Sequence, residues 1–221
     1  MSSMKKQLAV AAFVFAGVLI VALVVVGTIG YYRLYYPFLR PLGFVTTAGR
    51  LEESLRNTAP FRPPTSGALT AQQWSRYCEV ESAVHKVMGP AMAVLTKQRD
   101  TLVASANQKP ASVRLSAAVR AFGEIGPVFL RAKLAQVEAM NRASFSTEEY
   151  RWVRREVFAS AGFVLAELDL DSMRTAVQDR RDSIDVQTTS VEPNSQGANS
   201  SLVSGRRPQL ESWLALAFFD L

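Results

Sequence analysis

From Leu8 to Ile29 the chain reads LAVAAFVFAGVLIVALVVVGTI, 22 residues without one charged, amide or imidazole side chain. A helix of that length rises ~33 Å, against ~30 Å for a bilayer's hydrocarbon core. In lipid a helix satisfies its own backbone hydrogen bonds, so this stretch is expected to be a single membrane-spanning anchor. Secretory signals carry a shorter apolar core, roughly 7–15 residues, and a small-x-small cleavage site. Gly27-Thr28-Ile29-Gly30-Tyr31 is a poor site of that kind, and no cysteine follows directly for lipid attachment. Retention of the segment is therefore expected.

Lys5 and Lys6 favour a cytoplasmic amino terminus, while Arg33, Arg40 and Arg50 on the other flank weaken that vote. A short N-terminal tail before a long C-terminal part fits a signal-anchor in a bacterial inner membrane, cytoplasmic or photosynthetic, with the C-terminal domain periplasmic. The span holds no acid, base or histidine, so it offers no proton relay and no side-chain ligand for a haem or chlorophyll metal. Lipid or pigment contacts along it remain open. Ala12 and Ala16, with Gly17, Gly27 and Gly30, suit either a close helix contact or a plain lipid-facing surface.

Residues 1–36 form the anchor and the start of its collar. Four of the six tyrosines cluster just past the span, in GYYRLYYPFLRP. Tyr31, Tyr32, Arg33, Tyr35, Tyr36, Phe38 and Arg40 are the expected membrane-interface residues, because Tyr rings settle among headgroups and Arg reaches phosphates. A docking surface for neighbouring spans or pigments is the other reading of these aromatics. Residues 37–68 read as a surface linker. Pro37 and Pro41 are expected to break the helix, a short helix from Thr47 to Asn57 follows, and NTAPFRPPTSG closes the segment.

Residues 69–182 carry helical periodicity and few strand signals, predicting a small all-α bundle. Thr70-x-x-Gln73 is a capping box, followed by Trp74, Tyr77, Cys78, Val84, Met88 and Leu95. Gly89-Pro90 predicts a kink or break. Gly123 and Gly126-Pro127 are expected to divide the stretch from Pro110 to Arg142. Ser146-Thr147-Glu148-Glu149 is a second capping box. It opens a stripe of Tyr150, Val153, Val157, Ala161, Val164, Leu165 and Leu168 that reaches towards Arg180, with Arg151, Arg154 and Arg155 mostly off it.

From Ser183 to Gln209 the chain is polar and poor in large apolar residues, and alone it is expected to be disordered. It ends LESWLALAFFDL, too short to span a bilayer. Such an end could dock on a partner, lie at the interface or cover its own bundle. We assign Trp213, Leu214, Leu216, Phe218, Phe219 and Leu221 as partner-docking residues, with 183–221 an extended tether and tail.

No motif carries catalysis. Cys78, Glu81, His85 and Met88 share roughly one side of a helix, but they spread too far along it for one ion, and His85 is the only histidine. The acids Glu167, Asp169, Asp171, Asp179, Asp182 and Asp185 lack the glycine of a calcium loop and read as a solvated helix end. No nucleophile elbow or phosphate-binding glycine loop occurs. The net charge of +6 comes from 25 basic and 19 acidic residues without a basic run, which gives nucleic-acid binding no support.

The expectation is a non-enzymatic, single-pass subunit that works by contacts with membrane-complex subunits and the bilayer, with no cofactor held by its own side chains. In layout (anchor, aromatic collar, small helical domain, tail) the chain resembles the small single-span accessory subunits of bacterial photosynthetic reaction-centre and light-harvesting supercomplexes. That resemblance implies a scaffold bridging reaction centre and antenna. The alternative is an anchored periplasmic helical domain that binds or senses an envelope ligand or partner.

Overall fold

A computed structural model of the chain describes residues 20–32, 36–106, 112–179, 181–189 and 196–221. The chain forms two units, Met1–Arg40 and Pro41–Leu221. In the first, helix α1 covers 20–30 and widens into a π turn at 31–32. The earlier part of the apolar run, 8–19, lies outside the described residues. Among the described residues no helix is long and apolar enough to cross a membrane. Ile20, Val21, Leu23, Val24, Val26 and Ile29 on α1 are all more than half exposed. The Thr28 hydroxyl donates to the Val24 carbonyl at 2.6 Å, closing its polarity onto its own helix.

The remaining elements are α2 (Tyr36–Glu52), α3 (Ala71–Met88), α4 (Ala91–Ala106), β1 (Ser112–Arg114), α5 (Leu115–Arg142), α6 (Thr147–Ser160), β2 (Leu165–Leu168), α7 (Leu170–Gln178), β3 (Ser183–Thr189), α8 (Gln196–Val203) and α9 (Arg207–Phe218). The chain is mostly helical, as its periodicity requires. Both predicted N-caps are in place. Thr70 Oγ1 accepts from the Gln73 N–H at 3.1 Å, and Ser146 Oγ from the Glu149 N–H at 3.2 Å. Gly89, at φ +43°, ends α3 where the Gly-Pro pair predicted a break.

Two expected breaks are absent. α2 runs through Pro41, so Thr47 sits mid-helix rather than at a cap. α5 runs through Pro127 for 28 residues. The glycine before that proline serves packing: a Cβ at Gly126 would lie only 2.0–2.8 Å from three carbons of the Phe44 ring, which therefore packs against the α5 backbone there. Because α5 is continuous, one face carries Phe122, Ile125, Phe129, Ala132, Gln136 and Met140 into the core.

Conversely, α6 stops early. Gly162 takes φ +77°, its N–H donates to the Ala159 carbonyl at 2.9 Å, and the Phe163 N–H donates to the Phe158 carbonyl at 2.9 Å. This is a Schellman ending, with Phe158 and Phe163 in edge contact at 6.1 Å. The residues read as its continuation form β2 instead, and Val164 is exposed.

A three-stranded antiparallel sheet, order β1-β3-β2, departs from the all-helical expectation. Val113 lies opposite Ile184 and Leu168 opposite Val186, and all four are buried. The period-two pair Ile184-x-Val186 was present in the sequence but hidden in polar surroundings. The segment expected to be a disordered tether thus supplies β3 and α8. Residues 53–70 are non-helical, yet Leu55 and Leu69 join Val45 and Ala48 in the core. The Asn199 side chain fixes that stretch, accepting from the Leu69 N–H at 2.7 Å and donating to the Gly67 carbonyl at 3.0 Å.

The largest correction concerns the tail. α9 inserts into the domain's own core. Trp213, Leu216, Phe218, Phe219 and Leu221 are buried and Leu214 is partly so. Phe219 meets Phe122 at 5.6 Å and Trp213 meets Tyr77 at 6.1 Å. Burying those five side chains gives on the order of 10 kcal/mol before ordering costs, at about 1.5–3 kcal/mol each. The residues assigned to partner docking already have partners inside the chain.

Candidate functional site

Asp220 follows the last turn of α9, with φ +55°. Its N–H donates to the Ala217 carbonyl at 3.1 Å, and the Leu221 N–H to the Leu216 carbonyl at 3.0 Å, which makes Asp220 the left-handed residue of a Schellman ending. Glycine normally takes this place, and a helix C-terminus repels an anion. Three cations hold the aspartate there. Arg154 Nη2 reaches Oδ1 at 2.7 Å, Arg151 Nη2 reaches Oδ2 at 3.0 Å, and Lys133 Nζ donates to the Asp220 carbonyl at 2.7 Å.

Two further acids complete the cluster. Glu52 pairs with Lys133 at 2.5 Å, and Glu167 with Arg154 at 2.7 Å. Burial raises the Asp220 pKa, but Lys133, Arg154 and Arg151 overcome it and hold the carboxyl well below the usual carboxylate range. Lys133 and Arg154 are almost completely buried. The helical spacing expected Arg154 to lie off the buried stripe. It sits one turn beyond Tyr150 on the same face, and Glu167 and Asp220 supply the countercharge that makes this burial tolerable.

Beside Arg154 lies a second, more apolar group. Glu81 on α3 is buried, and its Oε1 accepts from the Tyr150 hydroxyl at 2.5 Å. Gln136 donates to that hydroxyl at 3.4 Å. The Tyr77 hydroxyl faces the same carboxyl, and neither it nor Glu81 Oε2 completes an aligned hydrogen bond. Burial pushes the Glu81 pKa up to about 7, against smaller opposing effects of Tyr150, Arg154 and Tyr77. Burial, followed by the nearby Glu81 charge, raises both tyrosines well above their ordinary value.

A cleft of about 350 Å³ opens over the cluster, lined by Arg151, Arg154 and Arg155 from α6, by Glu167, Asp169 and Leu170, and by Asp220. The Asp169 carboxylate accepts from the Ser172 N–H at 2.8 Å and caps α7. Glu167 and Asp169, read as part of a solvated helix end, therefore pair with an arginine and cap a helix.

Of the other residues singled out in the sequence, Tyr31 and Tyr32 are exposed, with rings in edge contact at 5.5 Å. Arg33 and Tyr35 lie outside the described residues, as do the side chains of Tyr36, Phe38 and Arg40. Cys78 is half-buried, with burial pushing its thiol up to about 11, and His85 is exposed. Among the described residues no group of His, Cys, Asp and Glu is placed to hold a metal. The Glu81 and Asp220 centres were missed because each assembles residues far apart in sequence. The lone Asp220 within an apolar terminus was the one visible sign. No family model, curated protein or solved structure matches the chain.

Proposed function

We propose that this chain is a single-pass protein of a bacterial inner membrane that holds a self-contained helical domain at the periplasmic surface and works by binding rather than catalysis. The carrying observation is α1. Its apolar side chains are exposed, its one hydroxyl is satisfied internally, and the sequence before it stays apolar back to Leu8. Lipid is the medium in which such a helix is stable. The collar that begins with Tyr31 and Tyr32 suits the headgroup layer.

The domain's role is to present a surface, either to neighbouring subunits as an accessory component or to an envelope ligand. The accessory role, including a bridge between reaction centre and antenna, follows from layout alone. With α9 inside the core, it needs a contact surface other than the tail. The cleft over Asp220 favours the ligand-binding reading, since it combines guanidinium groups with carboxylates in one concavity. A reporter enzyme active only outside the cytoplasm, fused after Leu221, tests the reading. Activity supports an exported domain, and an active cytoplasmic reporter at the same position contradicts it.

A further inference from the structure

Glu81 is the only fully buried carboxylate among the described residues, and no ion pair reaches it. It sits where two contacts to α9 converge. On one side Tyr77 faces its carboxyl and packs its ring against Trp213 of α9 at 6.1 Å. On the other side Tyr150 donates to it at 2.5 Å, and the Arg154 guanidinium lies 5.5 Å from the Tyr150 ring centre. That same guanidinium holds Asp220 at 2.7 Å, and its Nε is buried without a hydrogen-bond partner.

We propose that Glu81 is a proton-binding site whose occupancy sets how firmly α9 is held in the domain. With the proton on, Oε2 becomes a donor towards the Tyr77 hydroxyl, Oε1 still accepts from Tyr150, and the site is neutral beneath Trp213. With the proton off, an uncompensated anion lies among aromatic rings, and Arg154 is the cation within reach. Its free Nε is then drawn towards Glu81 and away from Asp220, so the Tyr77–Trp213 and Arg154–Asp220 contacts, two of those that hold α9, weaken together.

The titratable and charged groups facing Glu81 are Tyr77 and Cys78 on α3 and Tyr150 and Arg154 on α6. α5 presents the neutral Gln136 and α9 presents Trp213. The tyrosines and the thiol titrate well above neutrality, which leaves Glu81 as the group that changes charge near pH 7.

Amide hydrogen exchange of the full-length chain at about pH 5.5 and about pH 8, corrected for intrinsic rates, tests this. The α9 amides should open more readily than those of α3 and α5, and on the order of tenfold more readily at the higher pH. Glu81→Gln, which keeps shape and hydrogen bonding, should abolish that pH dependence. Tyr150→Phe removes a hydroxyl that stabilises the ionised form, so it should move the transition to higher pH. The proposal is overturned if α9 opening does not change with pH, if it changes equally in Glu81→Gln, if α9 opens only together with α3 and α5, or if Tyr150→Phe leaves the transition in place.

Discussion

Arg154 and Asp220 meet at 2.7 Å, joining the buried face of α6 to the residue that ends α9. The aspartate is in a backbone conformation that favours glycine and at a helix end that disfavours negative charge. It is held there by the arginine, and Asp220 and Glu167 supply the arginine's countercharge. Each side of the pair makes the other's placement tolerable.

Replacing Asp220 with Asn keeps the shape and the tolerance for positive φ but leaves Arg154 and Lys133 undercompensated. Breaking a buried pair from one side costs about 3–5 kcal/mol, and Asp220 is partly solvated, so a loss of about 2–4 kcal/mol is expected in denaturant unfolding. The wild-type contribution has a defined pH sign. Folding depresses the Asp220 pKa, so its stabilisation is present above the ordinary carboxylate range and is lost as pH falls through the folded value. Acid titration of Asp220→Asn should therefore be flatter than wild type below about pH 4.

Glu81 has the opposite sign. Its folded pKa of about 7 lies above the ordinary 4.5, so its stabilisation is full below the lower value and declines as pH rises towards the upper one. That shift corresponds to an upper bound of about 3 kcal/mol across the window. Unfolding free energies measured across it should fall in wild type and stay level in Glu81→Gln. Equal slopes in the two proteins would show that folding does not raise the Glu81 pKa.

Gly126→Ala should destabilise the domain by about 1–3 kcal/mol, because the new methyl would overlap the Phe44 ring. In a Phe44→Ala background most of that penalty should disappear. A double-mutant cycle in chemical denaturation reads the coupling directly.

Deleting Arg207–Leu221 should sharply lower the unfolding temperature of the domain rather than release a dispensable tail. The lost side chains account for on the order of 10 kcal/mol of gross burial, comparable with the whole stability of a domain. Thermal denaturation followed by circular dichroism checks this. A cooperative transition at the wild-type temperature would return the tail to the role of an external dock.

Local signals in the sequence were legible where chemistry acts within a few residues. The caps at Thr70 and Ser146 and the stop at Gly89 are decided by hydrogen bonds and φ preferences inside one turn. Gly126-Pro127 misled because tertiary packing keeps α5 running through it, and α2 likewise continues through Pro41. The stripe past Val157 continues at helical spacing through Leu168, and that periodicity hid Gly162, the terminator. An apolar terminus after a polar stretch reads the same whether it docks on another protein or on its own domain. Only the partners around Phe219 and Trp213 separate the two.

The proposed molecule is a lipid-embedded rod attached to a domain whose core is complete within its own chain. Alkaline extraction of membranes tests both parts at once, applied to the full-length chain and to a chain starting at Pro41. The full chain should stay in the membrane pellet, and the 41–221 chain should be released as a folded monomer with a cooperative thermal transition. Release of the full-length chain by alkali, or a 41–221 chain that stays in the membrane or cannot fold, would contradict the account.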